Sequence, residues 1–466
     1  MNAELMRISF VLCLCIILAG LRADAQVPLP SPVQMQWQQA EYGVLVSYDL
    51  HVFDGKRYNQ GQNRITPMPD HQIFDPTQLD TDQWIRAVRD GGGKFAILTV
   101  THETGFALYQ SDVNPYSLKS VRWRDGKGDV FADFVASCRK YGVLPGVYIG
   151  IRWNSFMGVY DFKTEGTTEF AKRRQAWYNR YCERMTEELL SKYGPLFFIW
   201  FDGGAHGPEL GGPDILPIAQ RLQPGAIFYH NSQKADIRWG GSESGTVPYP
   251  SWSNYPFPYS HSTNQSVIFA NDFKLLKTGD PDGKYYMPAM SDAPLRGAKG
   301  RHEWFWEPND EGAIQSVDHL TRMYMGSVGH NSTLILGVTP GPDGLFPTAD
   351  ADTLKKFRAR LDRMFSRPVA QVSGRGAILE MAIPKGASFD LIDLAESLPE
   401  GQRIRGFVVE VRERGRWSTV VQGTSVGHRF LHRLPAPLKG DRLRLRVTDS
   451  VDTPVLDRFA AWMAVD

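Results

Sequence analysis

The stretch FFIWFDGG, Phe197 to Gly204, runs an apolar segment into one acid, Asp202, and two glycines. A buried strand that stops on a carboxylate and then turns puts that acid at the C-terminal rim of a parallel sheet, where barrel enzymes hold their chemistry. Gly203 and Gly204 let the backbone turn close to a ligand, and Trp200 and Phe201 would limit water. The bland role for such an acid is a cap or a salt bridge. A second acid, Glu243, lies in RWGGSESGTVPYPSW, 41 residues on (243 − 202). Glycines flank it, and Trp239 and Trp252 are near enough in sequence to shield it and lift its pKa toward that of a general acid. Taken alone, it also reads as a solvated loop residue. Paired carboxylates suit glycoside hydrolysis: one protonates the leaving oxygen while the other attacks or activates water.

Positioning two such acids requires a rigid frame. From about residue 33 to 345 short apolar runs alternate with amphipathic segments. Strands are expected at Gly43–Tyr48, Phe95–Thr101, Gly146–Gly150, Leu196–Phe201, Ala226–His230 and Thr333–Leu336. They are apolar throughout, as strands covered on both faces must be. Helices are expected over Asp129–Tyr141, Thr167–Tyr193 (with Trp177, Tyr181, Met185 and Leu189 on one face) and Thr348–Arg363. Repeated β-α units over this length predict a (β/α)8-like barrel. A doubly wound open sheet is the alternative, but no Gly-rich phosphate loop follows a strand. The irregular stretch Asn231–Asp282 belongs at the active-site face of such a barrel. After Pro368 the segments AILEMAI, SFDLIDL, GFVVEVR, WSTVVQG and DRLRLRV are short and separated by turn residues, which predicts a C-terminal antiparallel β-sandwich. The expected organisation is a leader over 1–25, a barrel over 26–365 and a sandwich over 366–466.

The 466-residue chain carries 52 Lys and Arg against 51 Asp and Glu, so nothing electrostatic favours nucleic acid or an acidic membrane as partner. Its 12 Trp and 18 Tyr suit a core and also suit stacking on sugar rings. The start reads as a secretory signal, with Arg7, the apolar run Ile8–Leu21 and a cleavage site at Ala23-Asp24-Ala25. The run is short for a membrane span, although an uncleaved anchor is the alternative, and no later segment approaches that length. Secretion or a periplasmic location follows as the expectation, without membrane insertion after cleavage. Cys13 and Cys15 would leave with the signal. Cys138 and Cys182 read as small core residues, with a disulfide open in an oxidising compartment. No His pair at i, i+4 has a Glu beside it in the manner of a zinc helix, so no metal or other cofactor is expected.

Several segments together resemble the α-L-fucosidases of glycoside hydrolase family 29: IFDPTQLDTDQWIRAVRDGGGKFAILTVTHETGF, DGKGDVFADFVASCRKYGVLPGVYIG, FFIWFDGG, RWGGSESG and MYMGSVGHNSTLILGVTPGPDG. The similarity runs in order from about Gln36 to Phe365. It implies a catalytic (β/α)8-like barrel followed by a β-sandwich and an exo-acting retaining mechanism. It places the nucleophile on Asp202 and, as in the branch acting on branched linkages, the acid/base on Glu243, with the carboxyls roughly 5–5.5 Å apart. A fucosylated or related glycan is the implied substrate.

The chain departs from the family at several sugar-contacting positions. Ser47, in VLVSYDLH, stands where a His is expected, and His51 is a candidate to supply the imidazole instead. In THETGF, His102 matches the first of two histidines and Glu103 replaces the second. Tyr109 stands where Trp is common. In MPAMSDAP, Met290 takes the acid position, and Asp292 is a candidate back-up acid. Trp304 and Trp306 in RHEWFWEPND resemble the family's segment near the sugar, with core packing as the other reading. Tyr48 and Trp200 complete the candidate substrate-binding set. Glu103 is open to three roles: a third catalytic carboxylate, an acceptor for a sugar hydroxyl, or an ion-pair partner of Arg152. The altered pocket makes a related L-sugar such as L-galactose an expected alternative to fucose. It also motivates a second reading, a carbohydrate-binding protein that has lost catalysis. A third is hydrolysis of another polysaccharide with inversion, which needs the carboxyls roughly 6.5–9.5 Å apart.

Overall fold

The computed structural model describes residues 27–260, 272–298 and 304–464, so the leader expected over 1–25 lies outside the described residues. Eight parallel strands form one sheet: β1 (Tyr42–Val46), β2 (Phe95–Thr101), β3 (Leu144–Ile149), β4 (Phe198–Phe201), β5 (Ile227–Tyr229), β6 (Arg238–Trp239), β7 (Ala289–Pro294) and β8 (Ser332–Val338). Their order is β5-β4-β3-β2-β1-β8-β7-β6, with β1 paired to both β2 and β8. The sheet is a nearly closed barrel. Where β5 and β6 face each other, Asp236 spans the gap: its N–H donates to Phe228 O (3.0 Å) and its carboxylate accepts the Phe228 N–H (2.8 Å).

Side-chain parity in these strands decides what faces the barrel axis. Phe95 and Ile97 of β2, Tyr148 of β3, Phe198 and Trp200 of β4, Met290 of β7 and Ile335 of β8 share an interior cluster with Leu45 of β1. The intervening residues, such as Leu98, Val147, Ile199 and Leu334, pack outward in the larger cluster under the helices. Both faces are covered, which is why the strands read as continuous apolar runs. Trp37 of α1 (Pro32–Ala40) packs against this interior cluster, its ring 5.0 Å from Phe95 and 5.2 Å from Phe198. Ser31 caps that helix in a capping box with Gln34.

Further helices cover the barrel: α2 (Thr81–Asp90), α3 (Val130–Tyr141), α4 (Glu169–Lys192), α5 (Leu216–Leu222), α6 (Asp272–Thr278), α7 (Val317–Ser327) and α8 (Thr348–Met364). Asp129 is the N-cap of α3, accepting from Ala132 N–H. On α4 the expected face is buried at Tyr181, Met185 and Leu189. Trp177, however, is 52% exposed, and Tyr178 turns inward to donate to Ile151 O at 2.8 Å. Cys138 and Cys182 are free buried thiols.

Strands β6 and β7 were not legible as strands. β6 has two residues, and β7 reads AMSDAP, whose polar members are buried and bonded: Ser291 and Ser332 share a 2.7 Å hydrogen bond.

Two four-stranded antiparallel sheets follow α8, spanning Ala370–Trp462 around their own core of Phe389, Ile392, Val409, Leu445 and Phe459. Leu391, Leu431, Ala460 and Trp462 instead join the barrel's outer cluster, so one sheet packs directly on the barrel. A buried ion network pins the junction. Arg429 donates to Glu41 beside β1 (2.9 Å), to Asp393 of the sandwich (3.0 Å) and to Tyr324 Oη of α7 (2.8 Å).

Candidate active site

One cavity at the C-terminal rim of the barrel is lined by Asp202, Glu243 and Asp292 together with Ser47, Thr99, His102, Tyr148, Trp200, Trp304 and Phe305. Parity explains most of this set. Asp202 continues the inward series Phe198, Trp200 of β4. Ser47 continues Leu45 of β1, and Asp292 continues Met290 of β7. Gly203 and Gly204 then take φ +63° and +78°, conformations that strain any residue with a Cβ. A Cβ on Gly203 would also lie 2.8 Å from the Arg152 side chain.

Glu243 arrives from elsewhere. Its loop follows β6 and is tied to β7 on both sides: Gly240 N–H donates to Met290 O (2.8 Å) and Gly245 N–H to Asp292 O (2.9 Å). The hydroxyls of Ser242, Ser244 and Thr246 form a chain along the loop at 2.8 and 2.9 Å. Its carboxylate is exposed at the rim and accepts from the Trp304 indole N–H at 3.1 Å. The two tryptophans expected to shield it do other work. Trp239 donates to Asp292 (2.8 Å), and Trp252 carries the Arg405 guanidinium over its ring at 4.8 Å.

Trp304 is placed by a glycine. A Cβ on Gly337 of β8 would lie 2.6 Å from the Trp304 ring, so the bare strand makes room for the indole that holds Glu243.

The electrostatics differ from group to group. Asp292 is buried, and burial, followed by the charges of Glu243 and Asp202, holds its pKa well above the usual carboxylate range against the Trp239 hydrogen bond. Burial lowers the pKa of His102 to about 4, with Asp202 opposing and Arg64 assisting, so this ring is neutral. The Tyr148 phenol keeps its proton through burial and then the adjacent Asp202 charge.

Other expected contacts lie elsewhere. Tyr48 points outward by the same parity that turns Ser47 inward, and its ring packs on Phe53, Phe74 and Trp84. Tyr109 is core, its hydroxyl donating to Glu188 at 3.0 Å. His51 does not line the cavity; its buried ring lies edge-on to Phe305 (4.1 Å), one layer behind. Trp306 is half-buried and is not a lining residue. Glu103 also sits behind the wall, with both oxygens engaged, by Arg64 Nε (2.6 Å) and Tyr58 Oη (2.9 Å). Arg152, its expected bland partner, pairs instead with Asp161 at 2.8 Å. Sequence reasoning missed Tyr58, Gln60, Tyr148 and Phe305 as lining residues. Tyr148 was accessible from strand parity. Tyr58 and Gln60 lie in a polar loop with no periodic signal. Among the described residues no group of three or more His, Cys, Asp or Glu is arranged to hold a metal.

A parallel barrel gathering carboxylates and aromatic rings at its C-terminal rim is the framework of a glycoside hydrolase. A family model described as alpha-L-fucosidase matches residues 30–363. The chain belongs to that family, glycoside hydrolase family 29. It is 28% identical to alpha-L-fucosidase 1 of Arabidopsis thaliana, across 94% of this chain and 88% of the relative. A crystal structure from Bacteroides thetaiotaomicron VPI-5482, of a protein with a proposed alpha-L-fucosidase assignment, superposes with TM-score 0.91 at 51% identity, covering 94% of this chain and all of that one. A Ruminococcus gnavus family 29 fucosidase solved with fucose shares the fold at 20% identity and TM-score 0.79, covering 94% of this chain and 95% of its own.

Proposed function

We propose that this protein is an exo-acting retaining glycosidase that releases α-linked L-fucose, or a related L-sugar such as L-galactose, from glycans. One observation carries the reading: Asp202 from the β4 tip and Glu243 from the loop after β6 open onto the same cavity. In the first step Asp202 Oδ attacks the anomeric carbon while Glu243 gives its proton to the departing oxygen. In the second, Glu243 takes a proton from water, which displaces Asp202 and restores the original anomer. The Trp304 N–H orients Glu243. The neutral His102 ring, and Asp292, whose charged form burial disfavours, are suited to exchange hydrogen bonds with sugar hydroxyls. The fucose bound to the Ruminococcus gnavus relative is consistent with an L-fucose site in this fold.

Incubation with a 2-fluoro-L-fucosyl donor followed by peptide mass spectrometry tests this. An adduct on the peptide containing Asp202 is expected. Turnover without an adduct, and with the opposite anomer as product, would favour inversion. Sugar binding by calorimetry without turnover on any aryl glycoside would favour the non-catalytic binding reading. The leader over residues 1–25 supports secretion or a periplasmic location. A mature N-terminus at Gln26 on the exported protein is the expected finding, and an intact N-terminus would sink it.

A further inference from the structure

The segment after β1 reaches over the cavity, with Tyr58 and Gln60 in its lining. Little within the segment holds it there. From Asp54 to Asp70 it is half-buried or exposed throughout, and its own hydrogen bonds are short-range turns such as Asn63 N–H to Asn59 O. Side chains from other barrel loops fasten it. Glu103, after β2, accepts from Tyr58 Oη (2.9 Å) and Arg64 Nε (2.6 Å). Trp153, after β3, lies under the Arg64 guanidinium at 3.7 Å. Glu307, after β7, accepts the Tyr58 backbone N–H at 2.9 Å. Glu103 and Glu307 are both buried, whereas the side chain of Arg57, just before Tyr58 and 4.0 Å from Glu307, is 79% exposed.

We propose that Glu103 is a positioning residue: it clasps the segment around Tyr58–Arg64 as a roof over the sugar cavity, and Tyr58 and Gln60, not Glu103, contact the sugar. The proposal rests on reading this cavity as the glycosidase site. Both Glu103 oxygens already accept from the segment, and its side chain lies outside the lining, so it is not placed to accept from the sugar. Tyr58 commits its hydroxyl to the clasp and presents its ring. Gln60 presents a carboxamide, which reads hydroxyl groups as donor and acceptor.

Two measurements on Glu103→Ala, Glu103→Gln and Tyr58→Phe separate the clasp from the activity. The first is limited trypsinolysis without sugar, scored by mass spectrometry at Lys56, Arg57 and Arg64. Cleavage there should be at least several-fold faster in Glu103→Ala than in the wild type, and intermediate in the other two. This readout does not depend on which sugar is cleaved. The second is steady-state kinetics with an aryl α-L-fucoside, or with the best substrate of an aryl glycoside panel if fucose is not the sugar. KM should rise about tenfold or more in Glu103→Ala, as expected for loss of charge-assisted hydrogen bonds, with a smaller change in kcat. Glu103→Gln should recover most of it, because its carbonyl still accepts. Tyr58→Phe loses one oxygen only and serves if Glu103→Ala does not fold. Unchanged cleavage in all three variants overturns the clasp. Unchanged KM with kcat reduced more than a hundredfold, the behaviour expected of Asp202→Asn, would make Glu103 a participant in the chemistry and overturn the proposal.

Discussion

Adding one methyl group at Gly337 should disable a residue on a different strand. The Cβ of Gly337→Ala would sit 2.6 Å from Trp304 Cζ3 and 2.8 Å from Cε3. Carbon atoms in contact prefer about 3.5 Å or more, so the indole must retreat by about 0.9 Å (3.5 − 2.6). That movement takes its N–H off the 3.1 Å hydrogen bond that orients Glu243. An error of about 1 Å in a catalytic group costs up to about a hundredfold. A fall in kcat/KM of about 10- to 100-fold is expected, or ~1.4–2.7 kcal/mol of transition-state stabilisation. The loss should be greatest with a poor leaving group, which needs the proton. Overpacking the buried strand should cost a further ~1–3 kcal/mol of stability, so the assay belongs well below the melting range. The decisive control is the double variant with Trp304→Phe. Cζ3 and Cε3 belong to the six-membered ring of the indole, so the smaller phenyl relieves the clash, and Gly337→Ala should then add little. A kcat/KM within twofold of wild type, or an equal penalty in both backgrounds, would refute this coupling between β8, Trp304 and Glu243.

Glu243→Gln should lose far more activity with a natural glycoside than with an activated aryl one, and Asp202→Asn should lose nearly all with both; equal losses for Glu243→Gln would refute its acid role. Arg429→Leu should cost ~3–5 kcal/mol in urea unfolding, because Glu41 and Asp393 lose a shared buried cation. Burial raises the pKa of Glu41, but Arg429, His428 and Tyr324 together pull it well below its usual 4.5. Its stabilisation is therefore present above about pH 4.5 and drains as pH falls further, and a wild-type acid limb identical to that of Arg429→Leu would refute this. Burial raises Asp49 from 3.8 to about 7, so the folded state binds the extra proton and loses stability as pH rises through that window, on the order of 4 kcal/mol. Asp49→Asn should flatten the fall in melting temperature between about pH 4 and pH 7; an unchanged slope would count against it.

The sequence by itself determined the frame and the place of Asp202 at a strand tip, whereas Glu243 was singled out only through the family resemblance, because its loop reads equally as solvated. Two-sided burial forces continuous apolar strands, so β1 to β5 and β8 are legible as runs. An apolar strand that ends on Asp202 and two glycines marks the barrel rim. Alternation alone would also have turned Tyr48 outward and Ser47 inward, and β7 hid because its buried Ser291 and Asp292 read as loop polarity. Only the tertiary structure decided who meets whom. Trp304, not Trp239 or Trp252, holds Glu243, because a glycine on β8 leaves space for its ring. Glu103 faces Arg64 rather than Arg152, because the polar loop after β1 folds across the cavity. Such pairings arise from packing between chain segments tens to hundreds of residues apart. Local spacing carries no information about them, since direction and distance are fixed only when the barrel curls and brings its loops to one end.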